Sequence, residues 1–437
     1  MKLHRIASGV LSLSWLLSSP AAGLAPAQPA DEISVAFGAA QAPPLVRFVE
    51  LARQRAPRLR ELAALVEAAR ERVEPAGALG DPMIEARLEN MGLDRVTVGE
   101  EEMSRFEVAV RQALPYPGKR EARREVARAE TELMRAELAA AERDVVLAVQ
   151  ETYARLYAAD REIALLDAVH ELLDLLAATV TSRYSTGEVD QEAVLKVQLQ
   201  ISRHDQIREG VIQGREQLAA ELRRALDFPV GLSVGRVDAL DSAPLPAGDL
   251  AARAIDESPQ VAVRSAAVAA AERRLAVERL ELRPNFAVAA GLAYRGDLEP
   301  GIGLGLGIEL PFWRKHRQEP LIRAAEHEFA AAREARRQGE LAARGEAESL
   351  LAAWARLERR IRLSDEAILP QSAAAFDAAR FAYLTARGDF STVVEDLGLW
   401  LEARVERARL EAERFSTRAA LLALLRLDSP NSEGSLP

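Results

Sequence analysis

The sequence predicts a mainly α-helical chain with a small β part, in which long helical hairpins occur as a tandem duplication and four β-strands accompany them. Two long stretches are charged, rich in alanine and nearly free of proline. Two pairs of shorter segments alternate apolar and polar residues with a period of two, which is typical of strands. Landmarks also recur in the same order in both halves, which indicates a repeat.

The duplication rests on four landmarks that recur in one order. Pro57 corresponds to Pro259, Asp81-Pro82 to Arg283-Pro284, Leu114-Pro115 to Leu310-Pro311, and the turn at Tyr184 to the turn at Tyr383. Any one of these matches is weak, but four in the same order are difficult to obtain by chance. The sequence therefore predicts two homologous repeats.

The expected organisation follows from these landmarks and from composition. Lys2 and Arg5, an apolar run and a small-residue site at Ala25-Pro26-Ala27 have the pattern of a secretory signal. The predicted segments are a signal peptide at 1–27, an N-terminal segment at 28–44, a first repeat at 45–228 with a strand hairpin at 83–114, a linker at 229–248, a second repeat at 249–426 with a strand hairpin at 285–311, and a flexible tail at 427–437.

The long helices are expected after Lys119, to about residue 182, and after Lys315, to about residue 382. About sixty residues at 1.5 Å per residue make a rod of roughly 90 Å, which needs other helices along its length to be stable. Residues 193–226 and 391–425 follow short turns and are expected to run back antiparallel. A narrow apolar seam is predicted at Val145, Ala148, Val149, Thr152, Leu156, Ala159, Ile163 and Leu166.

The four strands have one apolar face and one face that is charged or made of small residues. The candidate pore-facing residues are Glu85, Arg87, Glu89, Glu107, Arg111 and Glu309. Strands of about ten residues with this alternation are typical of a transmembrane β-barrel, although a half-buried soluble hairpin has the same pattern. Because about eight strands are the fewest that close a barrel, several chains would have to share one.

Composition excludes several classes of function. The 437 residues contain 57 Lys and Arg against 67 Asp and Glu, a net charge of −10, and no basic block that would indicate nucleic-acid binding. The chain has no cysteine, and its five histidines lack metal-ligand spacing. With no nucleophile, phosphate-loop or dinucleotide motif present, the sequence predicts neither an enzyme nor a cofactor or metal site.

The paired strand hairpins, the Tyr-x-x-Gly turn and the duplication resemble the TolC family of outer-membrane efflux channels. The segment Gln112–Lys119 is similar to the version in heavy-metal cation efflux members. The resemblance implies a homotrimer in the outer-membrane lipid, with a shared twelve-stranded β-barrel continuous with a coiled-coil α-barrel tunnel in the periplasm. It also implies docking to a periplasmic adaptor and an inner-membrane pump, so that the channel is the exit duct of a tripartite efflux or secretion system.

The resemblance further implies a periplasmic gate at the tips of the helical hairpins. Tyr383 stands at the gating tyrosine position and Glu395 at an acidic ring position, whereas Gly388, Thr392 and Ala193 depart from the family pattern. A substitute set of gate residues is predicted at Arg387, Asp389, Asp396, Asp190, Glu192 and Glu188, and Tyr184 is a further gate candidate.

Two questions stay open at the level of sequence. A soluble periplasmic coiled-coil scaffold or adaptor without a pore is the alternative to a channel. Metal ions, organic solutes and peptides all fit as cargo, and Pro117-Gly118-Lys119 and the acidic balance slightly favour cations.

Overall fold

The computed structural model describes residues 42–90, 98, 103–228, 233–296, 298–385 and 387–425. The predicted signal peptide, the N-terminal segment before residue 42, the first four residues of the linker and the tail lie outside the described residues.

Each half of the chain runs through short helices, a strand hairpin, a long rod and a returning helix. The first half contains α1 (Leu45–Arg55), α2 (Pro57–Glu71), α3 (Val73–Ala76), β1 (Met83–Glu89), β2 (Arg105–Leu114), α4 (Lys119–Ser185) and α5 (Gln191–Ala225). The second half contains α6 (Leu250–Glu257), α7 (Pro259–Leu280), β3 (Asn285–Arg295), β4 (Leu298–Glu309), α8 (Gln318–Leu363), a π-helical turn (Ser364–Ile368), α9 (Leu369–Leu384) and α10 (Phe390–Leu424). The same order in both halves agrees with a duplication.

The first rod, α4, is a single helix of 67 residues, or about 100 Å at 1.5 Å per residue. It begins directly after Gly118, whose φ of 96° lies in the left-handed region that glycine adopts without strain. It ends at a turn in which Gly187 has a φ of 74°. The two glycines therefore turn the chain from strand into rod and from rod into the returning helix.

The second rod, predicted as a long helix after Lys315 to about residue 382, contains a π-helical turn. Leu369 donates its backbone N–H to the carbonyl of Ser364, an i to i−5 hydrogen bond. Pro370 follows immediately and has no N–H to donate to the carbonyl four residues earlier. The wider turn therefore lies where proline breaks the α-helical hydrogen-bond series, and the first rod has no proline at the corresponding place.

The four strands form one antiparallel sheet in the order β1-β2-β3-β4, so the pairing of β2 with β3 joins the two repeats. Glu85 pairs with Ala109, Ala109 with Gly291, and Gly291 with Gly303, which places these four residues on one face. The neighbouring row, which contains Ile84, Val110, Ala290 and Leu304, lies on the other face. This register confirms the alternation that the sequence predicts.

The core lies along α4 and the helices packed beside it. Val149, Thr152, Leu156 and Leu166 of the predicted seam are buried, but Ala148 is exposed, so the prediction for that residue was wrong. The sequence analysis also omitted Tyr153, Ala154 and Tyr157, which are buried in the same cluster. The reason is that α4 packs against α1, α5 and α10 at once, which buries a wider face than a two-helix seam would.

Within the described part of the chain, no helix has the length and apolar character needed to cross a membrane.

Candidate channel surfaces

The apolar face of the sheet is open in the single chain. Leu304 is 85% exposed and Leu306 is 88% exposed, far above the values of core leucines. The large apolar side chains that share this exposed face are Ile84, Leu88, Phe106, Val108, Val110, Phe286, Val288, Leu292, Tyr294, Ile302, Leu304, Leu306 and Ile308. A contiguous apolar surface of this size requires a membrane or another protein to cover it.

The polar face divides into a charged half and a half of small residues. Glu85, Arg87, Glu89, Glu107 and Arg111 all lie on this face of β1 and β2, as predicted. On β3 and β4 the same face carries alanines and glycines until Glu309, whose carboxylate accepts a hydrogen bond of 3.0 Å from the Asn285 amide. All six predicted residues therefore share one face, although Glu309 stands apart from the other five.

The charged half is a chain of alternating ion pairs. Arg111 lies 3.3 Å from Glu85, Glu85 lies 3.4 Å from Arg87, and Arg87 lies 3.5 Å from Glu89. The chain continues through Arg105, a residue that sequence analysis missed, which lies 2.5 Å from Glu89 and 3.9 Å from Glu107. We call these six residues the ion-pair chain; its three arginines and three glutamates cancel, so its net charge is zero.

The small residues of β3 leave room for a carboxylate of the ion-pair chain. A Cβ atom built at Gly291 would lie 2.9 Å from Oε1 of Glu107, and one at Gly303 would lie 3.5 Å from the same oxygen. The Glu107 side chain therefore extends across β3 toward β4. Alternation alone does not predict this, because it depends on a side chain from the neighbouring strand.

The junction of the sheet with α4 is held by a buried ammonium group. Lys119 is 1% exposed, and its Nζ donates to Oε2 of Glu281 at 2.8 Å, to the carbonyl of Arg283 at 3.0 Å and to Oδ1 of Asn285 at 2.9 Å. Burial by itself raises the pKa of the Glu281 carboxyl, but hydrogen bonds from Lys119 and Arg123 outweigh it and hold that pKa below its usual value. All three donor positions of the ammonium are used.

The tips of the two helical hairpins pack against each other at the end of the molecule farthest along the rods from the sheet. Tyr383 is 3% exposed, and its ring meets Phe390 edge-on at 5.9 Å between centroids. The guanidinium of Arg183 lies 5.1 Å from the centroid of the Tyr383 ring and donates to the Tyr383 carbonyl at 3.4 Å. The Tyr383 hydroxyl is buried and has no hydrogen-bond partner among the described residues.

The other predicted gate residues are on the same tips but do not form one network among the described residues. Tyr184, Arg387, Asp389, Glu395, Asp190 and Glu192 are exposed, and Asp396 is half-buried. Sequence analysis did not predict two contacts at these tips. The ammonium of Lys196 pairs with the Glu192 carboxylate at 2.7 Å, and the hydroxyl of Ser391 donates to the Asp389 carboxylate. The hydrogen bond from Ser391 lowers the pKa of the Asp389 carboxyl. The positive charge of Lys196 also lowers this pKa because it favours the carboxylate.

Metal ligation is not indicated by any cluster in the described part of the chain, where no group of three or more His, Asp and Glu side chains could hold an ion.

The family model of outer membrane efflux proteins matches residues 48–226. That range extends from α1 to the end of α5 and thus spans the first repeat, whose order of elements the second repeat shares. The first repeat thus matches the outer membrane efflux protein family. No curated protein matches the sequence.

Solved structures share the fold of this chain at low sequence identity. CusC, described for its transmembrane channel formation, has a TM-score of 0.75 at 16% identity, over 87% of this chain and 91% of that one. VceC of Vibrio cholerae, an outer membrane protein, has a TM-score of 0.72 at 17% identity, over 87% and 96%. The outer membrane channel MtrE of Neisseria gonorrhoeae, in its open state, has a TM-score of 0.74 at 16% identity, over 89% and 90%.

The family match supports one of the two functions that the sequence left open. A model of outer membrane efflux proteins fits the first repeat, and the solved structures that share the fold include outer-membrane channels. Both findings support an outer-membrane efflux channel rather than a soluble scaffold without a pore.

Proposed function

We propose that three copies of this chain form the exit duct of a tripartite efflux or secretion system. The observation that carries the proposal is the four-stranded sheet with one charged face and one exposed apolar face. Four strands per chain give twelve in a trimer, which exceeds the roughly eight strands that close a barrel. The first rod, of 67 residues, and the second rod, residues 318–384, then form the wall of the periplasmic tunnel.

The polar face is assigned to the lumen and the apolar face to lipid. The leucines of β4 are more than four-fifths exposed in the single chain. Lipid contact removes the free-energy cost of exposing these apolar side chains to water. The ion-pair chain then lines the pore with alternating charge. Because the net charge of the ion-pair chain is zero, these six residues give the barrel wall little preference between cations and anions.

The hairpin tips are assigned to the periplasmic gate. The Tyr383 hydroxyl is buried and has no hydrogen-bond partner among the described residues, so a shift of the tips would expose a donor for a neighbouring copy. Glu395, Arg387, Asp389, Asp190, Glu192 and Tyr184 are exposed where copies would meet, and Asp396 is half-buried beside them. Adaptor and pump binding at these tips would shift the gate only by favouring its open arrangement over its closed one.

Metal cations as cargo remain a proposal with little support from the barrel. The Pro117-Gly118-Lys119 segment that favoured them holds the helix–strand junction through Lys119, which is buried and fully hydrogen-bonded. The presence of a lysine in this segment is thus explained by the junction, without contact to cargo. Selectivity among metal ions, organic solutes and peptides is assigned to the pump.

The test combines two measurements on protein purified in detergent. Mass in detergent should correspond to three chains, and planar bilayers should show gated single-channel currents. A monomer without conductance would contradict the proposal. A control with Leu341, exposed on α8 away from the strands, replaced by Gln should behave as the wild type.

A further inference from the structure

The duplication places two helix–strand junctions at equivalent positions, and only one of them is complete within the chain. Lys119 and Lys315 each stand five residues after the leucine of a Leu-Pro pair, Leu114 or Leu310. Arg283 and Asp81 each precede the proline that comes just before a strand. We call the junction between Lys119 and Arg283 the filled joint. We call the equivalent positions, Lys315 and Asp81, the open joint.

The filled joint connects the two repeats. Lys119, at the start of α4, donates to the carbonyl of Arg283 and to Oδ1 of Asn285, at the start of β3. The backbone N–H of Tyr116 also donates to Oδ1 of Asn285 at 3.4 Å, so the residue after Leu-Pro lies next to the first residue of the following strand. Pairing of β2 with β3 brings these two ends together.

Both halves of the open joint are exposed. Lys315 and Asp81 have opposite charges, and neither has a hydrogen-bond or ion-pair partner in the part of the chain that the structure describes. Phe312, the counterpart of Tyr116, is 80% exposed, and Met83, the counterpart of Asn285, is 59% exposed. The two surfaces therefore match in charge and in apolar character but lie on opposite edges of the sheet.

We propose that the open joint is filled between copies of the chain. In the trimer, on which this inference rests, Lys315 of one copy donates to the carboxylate of Asp81 of the partner subunit, and Phe312 covers Met83 of the partner subunit. β4 and β1 are the two edge strands of the sheet, so their pairing between copies repeats the β2–β3 pairing that builds the filled joint. Three open joints then alternate with three filled joints around the ring.

A second copy fits this surface better than lipid does. Lipid would cover Phe312 and Met83 but would leave the Asp81 carboxylate without a cation at the membrane boundary. A second copy supplies the cation and the aromatic ring from one segment of six residues, 310–315. The aromatic–methionine contact adds to the ion pair.

Cross-linking tests this contact because the chain has no native cysteine. In the full-length protein, Met83→Cys is combined with Phe312→Cys, and the trimer is treated with a short bismaleimide. The expected result is covalent dimers and trimers on denaturing gels. The matched control combines Met83→Cys with Leu341→Cys, exposed along α8, and should remain monomeric on the gel.

Charge exchange tests the ion pair separately. Lys315→Asp and Asp81→Lys should each lower the trimer fraction in detergent, and the double exchange should restore it. Protein that is trimeric and conducting but neither cross-links nor responds to the charge exchange would overturn the inference and leave the proposed function intact. Quenching of Trp313 fluorescence by brominated lipid together with absent cross-links would assign the surface to lipid and overturn it as well. Monomeric wild-type protein would instead contradict the proposed function.

Discussion

The ammonium of Lys119 and the carboxylate of Glu281, 2.8 Å apart, join the first rod to the C-cap of the helix that precedes β3. The two residues are 162 positions apart in the chain. Their contact therefore connects the two repeats where the sheet meets the helices. A charged group that is buried and paired becomes a large cost when its partner is removed.

Replacement of Lys119 by Met should destabilise the protein by about 3 kcal/mol, because Glu281 and Asn285 would lose their shared donor in a buried site. Thermal unfolding in detergent measures the loss. Lys196→Met, which breaks an exposed pair with Glu192, is the matched control and should cost less than about 1 kcal/mol. Equal losses for the two variants would contradict the role assigned to Lys119.

The same junction predicts a dependence of stability on pH. Because the pKa of Glu281 is lowered in the folded state, this carboxylate stabilises the fold above the pKa it has when unfolded. Stability should fall as the pH is lowered below about 4, where the unfolded carboxyl takes up a proton first. Unfolding temperatures measured from pH 3 to pH 7 in wild type and in Glu281→Gln should converge at the acidic end. Parallel curves would show that Glu281 does not contribute.

Several features of the fold could be predicted from sequence, and the reasons differ. The strands were predictable because alternation with a period of two, as at Ile302 to Glu309, depends only on local sequence. Arg105 was missed because the alternating pattern was taken to begin at Phe106, although extension by one residue would have included it. The burial of Lys119 could not be predicted, since its partners lie more than 160 residues away. The π-helical turn depends on packing around Pro370 as well as on the proline itself.

The ion-pair chain predicts opposite effects from removing opposite charges. Glu85→Gln leaves three uncompensated positive charges per trimer and should shift the reversal potential in a salt gradient toward anion preference. Arg111→Gln, which removes the partner 3.3 Å away, should shift it toward cations. The double variant should return to the wild-type value because the two changes cancel. Single variants without a shift in a conducting trimer would place this face outside the lumen.

Adjacent residues of β4 test the assignment of the two faces. Leu304→Arg places a charge on the apolar face and should cost about 2–4 kcal/mol if the residue meets the middle of the bilayer. Gly303→Arg places the same charge on the polar face, near Glu107, and should be tolerated. The amount of folded trimer extracted from outer membranes gives the comparison. Similar yields for both variants would contradict the assignment.

Tyr383 distinguishes a packing role from a gating role through two substitutions. Tyr383→Ala removes a buried ring and should destabilise the hairpin tips by about 3–5 kcal/mol, with a larger leak of small solutes. Tyr383→Phe retains the ring and removes only the hydroxyl, which has no partner among the described residues. If the hydroxyl bonds across the gate to another copy, Tyr383→Phe should raise the closed-state conductance without changing the unfolding temperature. Tyr184→Phe, at the exposed counterpart, is the control. Wild-type conductance in Tyr383→Phe would show that Tyr383 contributes to packing and not to the gate.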